Sequence, residues 1–300
     1  MKNIYKNPKK SSSRNKMELL PKIESVTSFL RYIYEQTSPK HIRCYRGQSN
    51  TQWGMRPSVM RGLRTDAEKQ IFSELMVESP IEFNDDRLMF DKLVRAQHYG
   101  LPTRLLDVSL NPLVALYFAC NEETQHNANG VVHLLDFAKN RVRFSDSDTI
   151  SLISNLARLT DAEKLEIKQE YRKVKSWNDN AHEEFRKLAP MKRLYQFIRV
   201  EKPYFTDSII PADMFRYQFV YPAKTNRRVI AQSGAFLVAG LLEYSAPGKT
   251  QKGFTASKII IPADSKPQIL KDLDVLNINS RTMFPEVEFA AGYIKRKWER

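Results

Sequence analysis

Residues 97–120 read QHYGLPTRLLDVSLNPLVALYFAC, and their polar side chains are crowded between two apolar elements. We expect a helix to end near His98, because a glycine and a proline follow at once and favour a turn. The Leu-Leu pair at 105–106 predicts a short buried strand. Asn111 then predicts the N-cap of a new helix, with Pro112 at its first position, where a missing N–H costs nothing.

Polar side chains held between a strand end and a helix start are often ligand-binding residues in proteins that combine helices and strands. A structural alternative is that Arg104 and Asp107 pair with each other and only fix the connection. His98 has a structural alternative too, since a histidine at a helix C-terminus meets a favourable partial charge. The residues alone leave these alternatives open.

Composition limits the classes of protein to which the chain can belong. Its 300 residues are enough for one large domain or two small ones, and 42% of them are hydrophobic. It carries 48 basic and 34 acidic residues, a net charge of +14. That surplus favours anionic partners such as RNA, DNA, an acidic protein or a negatively charged lipid surface.

Cysteine use and hydropathy indicate a cytoplasmic protein. The two cysteines, Cys44 and Cys120, have apolar neighbours, which predicts buried free thiols rather than a disulfide. The longest apolar runs, 113–120 and 235–242, are far shorter than the roughly 20 residues that span a membrane. No apolar stretch follows the basic N-terminus, so no secretory signal is predicted. The histidines and cysteines lack the spacing of a metal site, and we expect no metal.

The chain divides into a basic tail over residues 1–22, expected to be disordered, and one domain over 23–300. The tail is rich in lysine and contains a run of three serines. Within the domain, residues 145–202 are charged and helical in pattern, which predicts a helical insertion placed on the core.

Local patterns outside the insertion predict both helices and strands without strict alternation, which favours the α+β class. Two capping boxes are predicted, at Thr65 with Glu68 and at Thr160 with Glu163. Helices are predicted over 25–36, 86–98 and 267–275, with a last one from 285. Strands are predicted over 41–46, ended by Gly47, and over 105–106, 130–137, 217–221, 228–238 and 258–261.

A second motif stands at the end of the first predicted strand, where Tyr45-Arg46-Gly47-Gln48 places an arginine before a glycine. Arginine offers a rigid fork of donors that suits phosphate or carboxylate. The glycine is expected to let a ligand approach the backbone closely. The structural alternative is a solvated arginine at a strand end.

Together the two motifs resemble the FRG domain family, named for its Phe/Tyr-Arg-Gly signature. One departure is Val108, where that family usually has an aromatic residue. The residues that carry the resemblance are Tyr45-Arg46-Gly47-Gln48, Trp53, Pro57-Ser58, the stretches 96–107 and 111–119, and Arg228, Gln232, Gly234 and Phe236.

A more distant resemblance is to ADP-ribosyltransferases, in which an aromatic-Arg-Gly strand end holds the phosphates of NAD. Serine or threonine residues on a second strand line the nicotinamide ribose pocket, as Ser109 would here. A third strand presents a glutamate to the ribose hydroxyl, and Gln232 stands at that place. The resemblance implies an ADP-ribosyltransferase-like split mixed or antiparallel sheet flanked by helices.

The resemblance also implies roles for individual residues, with NAD as a substrate. Catalytic roles fall to Arg46, His98, Asp107 and Gln232. Arg46 would pair with the pyrophosphate, Arg104 would pair with Asp107 or touch the acceptor, and Gln232 would meet the ribose hydroxyl. The residues expected to bind NAD are Tyr45, Arg46, Gly47, Gln48, Gln97, Tyr99, Thr103, Arg104 and Ser109.

A glutamine brings no charge to stabilise the cation that develops as nicotinamide leaves. Asp107 is the acid expected to take that role. Glu286 and Glu288 are spaced like the glutamate pair of some transferases. Because Pro285 signals a helix start, these two acids also have a structural interpretation at the helix N-terminus.

These expectations lead to an NAD-dependent transferase that modifies a nucleic acid, with RNA as the expected acceptor. Such an activity suits a toxin or defence protein with a neutralising protein partner. The alternatives are a non-catalytic nucleic-acid-binding module and a metal-independent nuclease. Cations recur with aromatic rings in a pattern typical either of a nucleic-acid surface or of a solvated helix face. The residues are Lys192, Arg193, Tyr195, Arg199, Lys202 and Tyr204, followed by Lys224, Arg227 and Arg228.

Overall fold

The computed structural model describes residues 21–36, 41–241 and 254–299, and within these ranges seven strands form one mixed sheet. The strand order is β4-β5-β6-β2-β1-β3-β7, and every neighbouring pair is antiparallel except the parallel pair β4–β5. The strands are β1 His41–Gln48, β2 Leu105–Ser109, β3 Gly130–Ala138, β4 Val142–Phe144, β5 Tyr217–Tyr221, β6 Gly234–Ala239 and β7 Phe254–Ile261.

Twelve α-helices lie in the same described ranges, which confirms the α+β class. Four of them, α5 to α8, fill the chain between β4 and β5, where the helical insertion is predicted. The helices are α1 Val26–Glu35, α2 Ala67–Glu78, α3 Met89–His98, α4 Pro112–Cys120, α5 Asp148–Asn155, α6 Asp161–Lys173, α7 Asp179–Lys187, α8 Ala189–Glu201, α9 Arg227–Ala231, α10 Lys266–Val275, α11 Ser280–Met283 and α12 Val287–Trp298. None of these helices is long and apolar enough to cross a bilayer.

Local capping chemistry fixes the starts of two helices as expected. The Asn111 side chain accepts a hydrogen bond from the N–H of Leu113 at 2.9 Å, and Pro112 occupies the first turn of α4. Thr160 and Glu163 form a reciprocal capping box at the start of α6. Both signals are contained within a few residues of sequence.

The sheet is continuous, but β1 and β2 are paired over very few residues. These two strands share a single facing pair, Tyr45 with Ser109, whereas β1 pairs with β3 from His41 to Gln48. We call this narrow connection, where β1 and β2 meet through one facing pair, the β1–β2 joint.

Two hydrophobic clusters occupy one face of the sheet, one on each side of this joint. The first contains Phe236 of β6 and the interior of the helical insertion, and the second contains Tyr45 with α1, α4 and α10. Strand register places Tyr45, Asp107 and Phe236 on the same face, because side chains alternate along a strand. A third cluster, which includes Cys44, covers the opposite face. Both cysteines are free and buried, as predicted.

Helix α4 packs directly against the backbones of β1 and β3. A Cβ added at Gly47 would lie 1.8 Å from the carbonyl oxygen of Ala115, and one at Gly130 would lie 2.2 Å from that of Ala119. Gly47 is therefore required for helix packing, and β1 runs on through Gly47 to Gln48 instead of ending there. The close approach expected of a ligand at Gly47 is made by the helix.

Arg104 joins four elements in a buried ion cluster. Its guanidinium donates to both carboxylate oxygens of Glu68, at 2.7 and 2.5 Å, and to the carbonyl of Ala239 at 2.9 Å. Lys164 of the insertion donates to the same Glu68 at 2.6 Å. Burial alone would raise the pKa of Glu68, but the two cations outweigh it and lower the pKa to about 2. The expected pairing of Arg104 with Asp107 is wrong.

The predicted capping box at Thr65 and Glu68 is also wrong. Helix α2 begins at Ala67, and no side chain caps its N-terminus. Glu68 instead binds the buried guanidinium of Arg104, because an uncompensated cation in the interior would cost far more than an uncapped helix end.

The predicted strand over 228–238 is half helix. Asn226 accepts hydrogen bonds from the N–H groups of Arg228 and Val229 and so starts α9. Ser233 adopts a left-handed φ of 47° and turns the chain into β6. Gln232 therefore lies at the end of a short helix rather than on a strand.

The predicted tail over 1–22 is ordered at its last two residues. The carbonyl of Pro21 accepts a hydrogen bond from Ile260 at 2.9 Å, and Lys22 bridges to Ile260 of β7. The rest of the predicted tail lies outside the described residues.

The Glu68 cluster predicts a large loss of stability when its only acid is neutralised. Glu68→Gln leaves two buried cations uncompensated, and we expect the free energy of unfolding at pH 7 to fall by about 3 kcal/mol. Because the pKa of Glu68 is lowered by folding, this stabilisation is present above about pH 5 and lost as the pH falls towards 2. Urea denaturation at several pH values measures both effects.

Glu166→Gln is the matched control, because Glu166 is exposed on the same helix as Lys164. It should leave stability within about 0.5 kcal/mol of wild type. Equal stability of Glu68→Gln and wild type at pH 7 would contradict a structural role for the cluster.

Gly47 and Gly54 make a second matched pair. Gly47→Ala places a methyl group inside the backbone of α4, so we expect a loss of about 3 kcal/mol or failure to fold. Gly54→Ala meets no atom within 4 Å and should change stability by less than about 0.5 kcal/mol. Thermal unfolding compares the two variants, and equal midpoints would contradict the packing argument.

Candidate functional site

A cleft of ≈270 Å³ opens at the thin joint between β1 and β2, between the two hydrophobic clusters of that sheet face. Its volume lies just below the usual range of ligand pockets, about 300–1,000 Å³. Polar lining comes from Arg46, Gln97, His98, Asp107, Ser109, Arg228 and Gln232. Apolar and backbone lining comes from Tyr45, Gly47, Val94, Val108, Val114, Ala115, Phe118, Val229, Gly234, Ala235, Phe236 and Phe284.

The Arg46 side chain spans the β1–β2 joint, where few backbone contacts connect the two strands. Its guanidinium donates to the backbone carbonyl of Asp107 at 2.5 Å, while its Nε is buried without a partner among the described residues. Burial lowers the pKa of Arg46, and the charge of Asp107 opposes that shift. Arginine remains cationic at such a position, so the cleft contains a fixed positive charge with a donor still to satisfy.

Gln97 and Asp107 form the exposed polar edge of the cleft. The Gln97 amide nitrogen donates to the Asp107 carboxylate at 2.7 Å, and its amide oxygen accepts a hydrogen bond from Thr103. The Asp107 side chain is exposed, so its second oxygen is open to solvent or to a ligand. The turn over 97–107 thus presents a carboxylate whose orientation is fixed from α3.

His98 is held by both ring nitrogens. The side-chain oxygen of Asn226 accepts a hydrogen bond from the N–H of Arg228 at the start of α9. The side-chain nitrogen of Asn226 therefore faces Nδ1 of His98, and these two nitrogens are 3.3 Å apart. Nδ1 must accept, so the proton is on Nε2, which donates to Glu286 at 3.0 Å. Burial and then the charge of Arg228 lower the pKa of His98, so the ring is neutral at pH 7.

Glu286 connects this histidine to Arg228. Arg228 donates to the same carboxylate oxygen at 2.8 Å and lies 5.1 Å above the ring of Phe284. Burial raises the pKa of Glu286, but its backbone hydrogen bond and Arg228 outweigh this and lower the pKa overall. The other carboxylate oxygen is buried without a described partner. Glu286, the acid at the start of the last helix, therefore holds His98 and Arg228 together in the cleft wall.

Gln232 is anchored by its backbone and its amide nitrogen. Its carbonyl accepts a hydrogen bond from the hydroxyl of Ser109 at 2.7 Å, and its amide nitrogen donates to the carbonyl of Met283 at 2.9 Å. These bonds join β2, α9 and α11 around the cleft. They leave the Gln232 amide oxygen as the acceptor that a hydroxyl group of a ligand could meet.

Aromatic rings form the remaining wall. Phe118 of α4 meets Phe284 edge to face at 6.0 Å, and Phe284 stacks on Phe289 at 4.4 Å. A cleft with this wall can hold a flat ring while charged and polar groups bind its substituents.

The structure brings together eight of the residues expected to act on NAD, and their roles remain predictions. These eight are Tyr45, Arg46, Gly47, Gln97, His98, Asp107, Ser109 and Gln232. The other four lie outside the cleft lining: Gln48 bonds to His133, Tyr99 bonds to Glu82, Thr103 is buried behind Gln97, and Arg104 is in the ion cluster.

The sequence predicts no site role for Phe284 or Phe118, places Arg228 in a candidate nucleic-acid surface, and allows two interpretations of Glu286. Glu286 lies 188 residues from His98, so no local pattern announces their contact. The signal that was present is the acid-after-proline pattern at 285–286.

Residues 41–128 match the FRG domain family. That segment supplies β1, α2, α3, β2 and α4, and therefore the wall that contains Arg46, His98 and Asp107. The opposite wall, with Arg228, Gln232 and Phe284, comes from outside the matched segment. No curated protein and no solved structure matches the chain.

The histidine contacts predict a specific titration. Glu286→Gln removes the carboxylate that raises the pKa of His98, so we expect this pKa to fall further below its usual 6.5. Glu288→Gln changes an exposed acid on the same helix and should leave the pKa of His98 unchanged. Long-range ¹H–¹⁵N NMR of the imidazole nitrogens measures both, and an unchanged or raised pKa in Glu286→Gln would contradict the contact.

Proposed function

We propose that the cleft binds NAD, releases nicotinamide and transfers ADP-ribose to a nucleic-acid acceptor, with RNA as the expected substrate. The observation that carries the proposal is the half-buried cation Arg46, whose Nε is buried without a described partner, beside the exposed carboxylate of Asp107. A pyrophosphate would satisfy the donor, because phosphate oxygens are strong acceptors for a guanidinium.

The size of the cleft supports partial burial of a dinucleotide. A volume of ≈270 Å³ suits one end of NAD, with the nicotinamide ring against the aromatic wall of Phe118 and Phe284. The remaining half would extend past Arg46 towards solvent. Gln232 and Ser109 belong to the group of side chains that would surround the ribose.

The proposed chemistry breaks the glycosidic bond between ribose and nicotinamide, and the bonding electron pair leaves with nicotinamide. Positive charge then develops on the ribose, and a nearby carboxylate stabilises it. Asp107 is the acid proposed for this role, because it is exposed at the cleft, whereas Glu286 is already engaged by Arg228 and His98. An acceptor oxygen or nitrogen forms the new bond to the ribose and loses its proton to solvent.

His98 fits a positioning role in this scheme. Both of its ring nitrogens are engaged, so it cannot act as a base without first losing a contact. We propose that it holds α3, α9 and the start of α12 in register around the substrate. Such an activity would harm the cell that contains it, so we also propose a toxin or defence role with a neutralising partner.

The experiment incubates the protein with NAD labelled in its adenylate part and with total RNA or protein. We expect nicotinamide release and labelled RNA, and a rate lower by about 10²-fold or more in Arg46→Ala and in Asp107→Asn. Tyr99→Phe is the control, because the Tyr99 hydroxyl bonds Glu82 outside the cleft. It should leave the rate unchanged.

Two other outcomes would replace the proposal. RNA cleavage without NAD would indicate a nuclease. Salt-sensitive RNA binding without any nicotinamide release or labelled product would indicate a binding module. Nicotinamide release that is equal in wild type and Arg46→Ala would contradict the role given to the cleft.

A further inference from the structure

Helices α7 and α8 meet at Leu188 and form a groove of ≈410 Å³ within the helical insertion. Four cations line it, together with two carboxylates and a tyrosine. The lining residues used below are Arg186, Lys187, Lys192, Arg199, Tyr195 and Asp207. The groove is separate from the cleft at the β1–β2 joint, since the two share no lining residue.

Some cations of the basic stretch 192–204 pair with acids elsewhere in the fold, and others face the groove. Arg193 pairs with Glu163 at 2.9 Å, and Lys202 pairs with Asp148 at 2.8 Å. Lys192 is exposed and has no described partner. In the groove itself, Lys187 pairs with Glu183 at 2.7 Å and Glu184 at 3.2 Å, whereas the charge of Lys192 is neutralised by no described carboxylate.

Two unsatisfied donors point to a ligand. The hydroxyl of Tyr195, a residue only 3% exposed, has no partner among the described residues, and neither does Nε of Arg186. Buried polar groups are nearly always satisfied, so each such exception needs an explanation. An anionic oxygen in the groove would satisfy both donors.

An exposed ring lies beside the groove. Phe205 packs on Tyr195 at 5.9 Å and accepts a hydrogen bond from Arg199 through its carbonyl, so Tyr204, the residue before it, stands next in the chain to a residue that contacts the groove. Tyr204 is 96% exposed. A cationic groove next to a free aromatic ring is the arrangement that binds single-stranded nucleic acid through phosphate contacts and base stacking.

We propose that this groove binds single-stranded RNA, with a backbone phosphate at Arg186, Lys192 and Tyr195 and a base stacked on Tyr204. The carboxylate of Asp207, which has no described partner, would accept a hydrogen bond from a ribose 2′-hydroxyl, a group that DNA lacks. This deepens the proposed function, on which it rests only for the identity of the acceptor. Binding itself needs neither NAD nor the cleft.

The test measures fluorescence anisotropy of labelled single-stranded RNA of about 12 nucleotides, without NAD. Lys192→Glu should weaken binding at least about 10-fold and reduce the slope of log affinity against log salt by about one. Lys173→Glu makes the same charge change at an exposed lysine on α6, outside the groove, and should retain most of the affinity.

Tyr195→Phe separates binding from folding. It removes an unpaired buried hydroxyl and keeps the ring, so the thermal midpoint should stay or rise while RNA affinity falls roughly 5-fold. Wild-type affinity in both Tyr195→Phe and Lys192→Glu would overturn the proposal, as would an equal loss in Lys173→Glu. DNA of the same sequence bound as tightly as RNA would overturn the ribose contact.

Arg46→Ala keeps this inference distinct from the proposed function. It should bind RNA like wild type if the groove is the RNA site, whether or not NAD is consumed. Loss of RNA affinity in Arg46→Ala with an intact Lys192→Glu complex would move the RNA site to the cleft and overturn the proposal.

Discussion

The close packing of α4 on β1 is the constraint on which the candidate site depends. Gly47 lets the helix touch the strand backbone, and only two residues separate the end of β2 from the start of α4. The helix that follows β2 is therefore held over β1, beside the joint where the two strands share one facing pair. The cleft is the space left at this joint, and Arg46 spans it because its guanidinium replaces a missing ladder contact.

The turn between α3 and β2 divides its polar residues between two tasks. Arg104 points into the interior and binds Glu68 and Lys164, so the helical insertion is joined to the sheet by charge as well as by apolar packing. Gln97 and Asp107 point to the cleft. The buried guanidinium of Arg104, held by Glu68 and by the carbonyl of Ala239, fixes the backbone of the turn, and that fixed backbone orients the exposed carboxylate. Residues that stabilise the fold and residues that line the cleft thus lie within one short segment of the chain.

The sequence was most informative where a signal is complete within a few residues. The Asn111 cap, the Thr160 box and the buried strand before Asp107 each depend on neighbours in the chain, and each is present. The Thr65 box fails although it is equally local, because the distant Arg104 binds Glu68. The partner of Arg104 was not predictable, because charge pairing in a core depends on which distant acid the fold brings near. Gln232 was misplaced on a strand because the cap at Asn226 starts a helix too short to show periodicity.

The two walls of the cleft come from different parts of the chain. One wall lies in the segment that matches the FRG domain family and holds Arg46 and Asp107. The other wall is assembled by Arg228 and Glu286, which reach His98 of the first wall from late in the sequence. Because a charge network fixes their mutual position, a substrate that enters between them meets a prearranged site.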